Sequence, residues 1–137
     1  MPPELRAFHG VVGLVLLIPL LAGLTGAFGG IEGMADLFGV DHELVVSPLL
    51  QNNFRAICCA FASWVPLVIW SLAALPERAT AFRIVVGCGF AAGFARLTGW
   101  RAEGYPGAIA VGITTIEPAG MPLLLLWHAR LVRLGRA

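Results

Sequence analysis

The 137-residue sequence predicts an all-α fold: an integral membrane bundle of four antiparallel helices in up-down-up-down order. Three observations carry that expectation. Hydrophobic residues make up 58% of the chain and charged residues 12%, against about 25% charged in an ordinary soluble domain. The mean hydropathy is +0.86. The apolar residues number about 79, close to the roughly 80 that four spans of about 20 residues require. A soluble core of this size cannot absorb so much apolar surface, because a short chain keeps a large share of its surface exposed. Composition therefore excludes a soluble enzyme, a disordered chain and a disulfide-stapled secreted module.

Span 1 is expected at about residues 7–29. Arg6 precedes an uncharged stretch from 10 to 31, longer than the ~7–15-residue apolar core of a signal peptide. It reads as a retained first helix that also directs the chain to the membrane. Pro19 lies inside it and is tolerable where neighbouring helices satisfy the freed carbonyl. Residues 30–50 follow, with Glu32, Asp36, Asp41, His42 and Glu43. Ile31, Met34, Leu37 and Phe38 recur there at helical spacing, so a short amphipathic helix along the membrane surface is expected between spans 1 and 2.

Span 2 is expected at about 53–75, uncharged from 56 to 76. Span 3, about 79–100, holds Arg83 and Arg96, separated by roughly 19 Å of helix. Each can therefore reach an opposite boundary. Span 4, about 107–127, carries Glu117 as its one charge. The turns at 75–78 and 99–106 are short, which makes successive spans antiparallel neighbours. With no internal repeat and no low-complexity stretch, residues 1–137 read as one transmembrane domain.

Orientation follows from the arginines. All nine basic residues are arginine, and eight acids leave a net charge of +1. That balance excludes a general nucleic-acid-binding surface. Four spans put Arg6, Arg78, Arg83, Arg130, Arg133 and Arg136 on one side, and Arg55, Arg96 and Arg101 on the other with most of the acids. The positive-inside rule then places both termini in the cytoplasm. Trp70 and Trp127 fit the inner aromatic belt, and Trp100 and Tyr105 the outer one. The basic segment 128–136 reads as an anchor touching anionic lipid.

Small residues mark the packing faces. Gly23, Gly26 and Gly30 line one face of span 1; Gly89, Ala92 and Gly93 share a face of span 3 with Arg96; Ala110, Thr114, Glu117 and Gly120 form a stripe on span 4. Such stripes permit close helix approach in lipid, and no strand–glycine–helix pattern for a dinucleotide exists here. Cys58, Cys59 and Cys88 lie in apolar runs without metal-ligand spacing and are expected to be buried, inert thiols.

Three intramembrane charges call for partners. Glu117 lies near mid-membrane, Arg55 just inside the outer end of span 2, and Arg96 near the outer end of span 3. A charge at the bilayer centre costs about 2.5–3.5 kcal/mol on insertion scales. The expected arrangement is a cluster in the outer half, with Glu117 accepting from Arg55, Arg96 or both, and Asn52, Asn53 and Thr114 adding hydrogen bonds. Such a cluster can be a staple that fixes helix register. It can equally be a net positive, partly desolvated pocket suited to a carboxylate or lipid phosphate. A third reading gives Glu117 an acid/base role. His9 and His128 near the inner boundary and His42 in the outer loop are expected to be solvated at the interface rather than to hold haem. Ser47, Ser63 and Ser71 have no histidine at a legible spacing.

Asn53-Phe54-Arg55 opening span 2, Arg83 entering span 3, Ala95-Arg96-Leu97 closing it, and Glu117-Pro118 before a leucine-rich stretch ending in Trp127 resemble one family. It is a family of small four-helix bacterial membrane proteins catalogued as a domain of unknown function. The likeness runs from span 1 to the basic tail; Cys58-Cys59 lies outside it. It implies the same four-span topology, with Arg55, Arg96 and Glu117 as the polar signature, and it brings no activity, substrate or cofactor.

The functional expectation is a non-catalytic multi-pass protein that binds an anionic or amphipathic small molecule or lipid at Asn52, Asn53, Arg55, Arg96, Thr114 and Glu117. Membrane lipid is its expected partner, and neither cofactor nor metal is expected. One alternative is an accessory or structural subunit of a larger membrane complex, suggested by the glycine-lined faces and the small extramembrane portion. Another is a small membrane enzyme using Glu117 as acid or base on a lipid-soluble substrate.

Overall fold

The structure, a computed structural model, describes residues 1–39, 47–104 and 107–135. The expectations attached to Asp41, His42, Glu43, Tyr105 and Arg136 lie outside the described residues. Five helices follow in order: α1 (Pro3–Phe38), α2 (Pro48–Ala62), α3 (Trp64–Leu72), α4 (Ala79–Glu103) and α5 (Ala108–Arg133). The fold is all-α, without strands among the described residues. Since α2 and α3 form one span, Pro48–Leu72, four helices are long and apolar enough to cross a membrane, as a four-helix membrane bundle requires. The chain is a membrane protein.

Local chemistry explains where these helices differ from the expected spans. The second span begins at Pro48 rather than 53, because Ser47 caps it: its hydroxyl accepts from the Leu50 amide at 3.3 Å, with proline in the first turn. The α2–α3 interruption at Ser63 lies just ahead of Pro66, which has no N–H to offer the Ala62 carbonyl. Ser63 turns its hydroxyl to the Ala60 carbonyl at 2.6 Å. In the turn before α4, Arg78 donates to the Trp70 carbonyl at 2.6 Å and lies 4.2 Å over the indole ring. The segment 31–38 is helical, as its spacing predicts, and it follows a break at Gly30 (φ 69°, ψ −155°) inside α1.

The chain divides into two compact units, residues 15–65 and residues 1–14 with 66–137. In the first, the glycine face of α1 lies against α2. A Cβ on Gly23 would come within 2.8 Å of Ala62, one on Gly26 would strike Cys58, and one on Gly30 would strike the Gln51 amide. Rising numbers on α1 meet falling numbers on α2, so the pair is antiparallel.

In the second unit α4 and α5 pack antiparallel. A Cβ on Gly93 would lie 2.5 Å from the Glu117 Cβ and 2.7 Å from the Pro118 Cδ, while Gly89 faces Met121 at 3.5 Å. The stripe expected on span 4 is interrupted after Glu117, since a Cβ on Gly120 would meet Ile116 of its own helix and no other residue. Phe8, Phe82, Leu131, His128 and Ser71 are the fully buried side chains here. The three cysteines do not share one environment: Cys58 is buried, whereas Cys59 and Cys88 are exposed. Neighbouring helical positions point about 100° apart, so Cys58 and Cys59 cannot both face α1. No more than 28% of any span's most apolar stretch is buried within the protein.

Candidate functional site

The ion pair between α4 and α5 is built from a glycine outward. With no side chain at Gly93, the α4 backbone comes close to α5 at Glu117 and Pro118. Arg96, one turn further along α4, then reaches Glu117, and its Nη1 donates to both carboxylate oxygens. Burial of the partners is unequal: the Glu117 side chain is 4% exposed and that of Arg96 41%. The negative member is hidden and the positive member faces outward. Thr114 is buried one turn before Glu117 on the same face of α5.

Arg55 has partners of another kind. The break at Gly30 diverts the Ile31 amide from the Ala27 carbonyl that a continuous helix would give it. That amide donates instead to the Gln51 Oε1 at 3.2 Å. The Arg55 guanidinium donates to the Ala27 and Phe28 carbonyls, at 3.2 and 2.5 Å. Arg55 and Gln51 thus serve as a C-cap supplied by another helix. It works at a glycine because φ lies in the left-handed region and a side chain there would collide with Gln51. Glu117 was expected to accept from Arg55, Arg96 or both; the structure pairs it with Arg96 and gives Arg55 two main-chain carbonyls.

Asn52 and Asn53, expected to add hydrogen bonds to the cluster, are exposed. At about 100° per residue, Asn53 lies opposite the α2 face that carries Gln51 and Arg55, and Asn52 lies at its edge. Gln51 is the polar residue that sequence reasoning missed, although its i, i+4 relation to Arg55 placed the two on one face.

A second correction concerns the histidines. His128 is 0% exposed rather than solvated at the interface. Its ring stacks on Phe82 at 4.7 Å between centroids, and Phe8 lies 6.3 Å away. Phe8 also contacts Phe82 at 5.7 Å and the edge of Trp127 at 5.3 Å. Neither ring nitrogen of His128, nor Nε2 of His9, has a hydrogen-bond partner among the described residues. At the same end of α5, Arg130 lies 3.4 Å from Glu4 of α1. Among the described residues, no group of three His, Cys, Asp or Glu side chains could hold a metal ion.

Residues 7–128 match a family model described as a domain of unknown function (DUF4345). No curated protein and no solved structure matches the chain.

Proposed function

The chain belongs to the DUF4345 family, and from its own residues we propose that it is a multi-pass protein of the bacterial inner membrane that binds an anionic or amphipathic small molecule or lipid, without catalysis, at Arg96. The observation that carries this reading is the unequal burial of the Arg96–Glu117 pair. A buried carboxylate holds the guanidinium in one place, and the positive member is the more exposed of the two. Guanidinium groups recognise phosphate and carboxylate by paired, charge-assisted hydrogen bonds, and partial exclusion of water strengthens them. Arg96 lies about 10 Å of helix from the end of α4 at Glu103, within reach of a lipid head-group region. Arg6, Arg78, Arg83, Arg130 and Arg133 on the opposite side support cytoplasmic termini, which puts Arg96 towards the outer leaflet.

Lipid retention measures this directly. Native mass spectrometry of the full chain released from nanodiscs of phosphatidylglycerol or phosphatidylcholine should show preferential retention of the anionic lipid. Arg96→Gln should lose that preference and Arg83→Gln should keep it. Equal retention of the two lipids by the wild type, or an unchanged preference in Arg96→Gln, sinks the proposal.

A further inference from the structure

We propose that α1 pairs with α1 of a second copy of this chain, along a seam of exposed apolar side chains. The seam holds no residue of the Arg96–Glu117 pair and stands apart from lipid binding there. Leu14, Leu17, Leu21, Leu24 and Phe28 alternate at intervals of three and four, and from 14 to 28 no other position of the helix is exposed. Ala7 and Gly10, also exposed, extend the alternation to three heptads. Since α1 is helical from Pro3 to its break at Gly30, these positions lie along one side of one helix. An ordinary apolar face takes in a third position in each heptad, whereas a strip of two per heptad is the seam of a left-handed helix pair. A straight helix drifts about 20° per heptad against such a strip, and supercoiling with a partner keeps it in register. Membrane helices mostly pack in that left-handed sense.

Area and charge both fit a second copy. Exposure runs from 42% at Leu24 to 79% at Phe28, and over the five large side chains it amounts to about three whole residues. At roughly 150–200 Å² each, that is about 500 Å² per chain and about 1,000 Å² for a pair, the size a specific interface must reach. Two copies inserted in the same orientation set identical residues opposite each other about a two-fold axis, leucine on leucine through the middle of the seam. No Asp, Glu, Lys or Arg occurs from 7 to 31, so no like charges meet across that axis. The exposed positions of α4 and α5, by contrast, include Arg83, Arg96, Arg130 and Arg133. An added Cβ at Gly10 would meet nothing within 4 Å, which leaves room for a neighbouring backbone. Lipid tails are as apolar as leucine, so the gain comes from interdigitated packing, and the same spacing on both copies supplies it.

The test uses the full chain in phosphatidylcholine vesicles. The sequence has no lysine, so an amine-reactive dye marks the α-amine of Met1 alone. Donor- and acceptor-labelled copies reconstituted together should show energy transfer well above that of randomly placed molecules, because the seam begins at Ala7 and brings the two N-termini together. Unlabelled wild type should compete it away. Leu14→Ala combined with Leu21→Ala truncates four side chains across the pair and should weaken association by about tenfold. Leu67→Ala combined with Ile84→Ala, at exposed positions of α3 and α4, should leave association unchanged. Circular dichroism checks that each variant keeps its helical content. Transfer at the random level in the wild type overturns the proposal, since lipid or a different protein then covers the seam. Equal association of the seam and control variants overturns it as well, since the copies then meet on another face. Should the double seam variant lose helical content, Leu17→Ala and Leu24→Ala, each taken singly, decide in its place.

Discussion

Replacing Gly93 by alanine tests the closest approach between α4 and α5. The added Cβ would lie 2.5 Å from the Glu117 Cβ and 2.7 Å from the Pro118 Cδ, where ordinary contact begins at 3.4 Å. The shortfall against Glu117 is about 0.9 Å. Neither obstacle is the far end of a flexible chain: one is a Cβ, the other a proline ring fixed to the backbone. The helices must move apart, which overpacking data put at about 1–3 kcal/mol. Gly87, on the same helix, is the control, since nothing lies within 4 Å of its added Cβ. There, alanine should be neutral or stabilising by up to about 1 kcal/mol, through helix propensity alone. The predicted gap between the variants is thus about 1–4 kcal/mol. Reversible unfolding in mixed micelles, followed by circular dichroism, measures it. Equal stability of Gly93→Ala and Gly87→Ala would refute the close-approach argument.

The cap at Gly30 predicts that Arg55→Leu, which strips two carbonyls of a charged donor, costs about 2–4 kcal/mol in the same assay, with Arg55→Lys intermediate. No loss in Arg55→Leu would mean that the break in α1 holds without it. For the α4–α5 pair, Arg96→Leu should be the costlier single change, about 3–5 kcal/mol, because it strands a buried carboxylate. Glu117→Leu should cost clearly less, since the guanidinium it leaves behind is not enclosed between the helices, and the double variant should recover most of the loss in a double-mutant cycle. The Arg130–Glu4 pair itself should contribute no more than about 1 kcal/mol, as Arg130 is largely exposed, and a double-mutant cycle on the two residues will read this.

Residue spacing made part of this architecture legible in advance. The faces through Gly23, Gly26 and Gly30 and through Gly89 and Gly93 could be read because small residues at helical intervals have few uses in lipid other than contact. The Arg96–Glu117 pairing was legible as a need: a charge deep in a span must find its opposite. The partners of Arg55 were not legible. They exist because α1 breaks at Gly30, and a glycine inside a long apolar run gives no sign of a left-handed φ until another helix is seen pressing on it. Nor did depth alone place His128. Counting along span 4 put it near a boundary, whereas Thr114, Glu117, Leu124, His128 and Leu131 recur at helical intervals and are all buried. Rotation about the helix axis decided its environment, and distance along the axis could not.

The ion pair between α4 and α5 also bears on how the chain enters a bilayer. Arg96 and Glu117 are 21 residues apart and lie on consecutive spans. A span inserted alone would carry its charge into hydrocarbon unescorted, against a barrier of about 2.5–3.5 kcal/mol at mid-depth. Entering together as a hairpin, the two spans bring Glu117 its counter-charge from Arg96 before the carboxylate meets hydrocarbon. The first span is uncharged from residue 10 to 31 and has no such requirement.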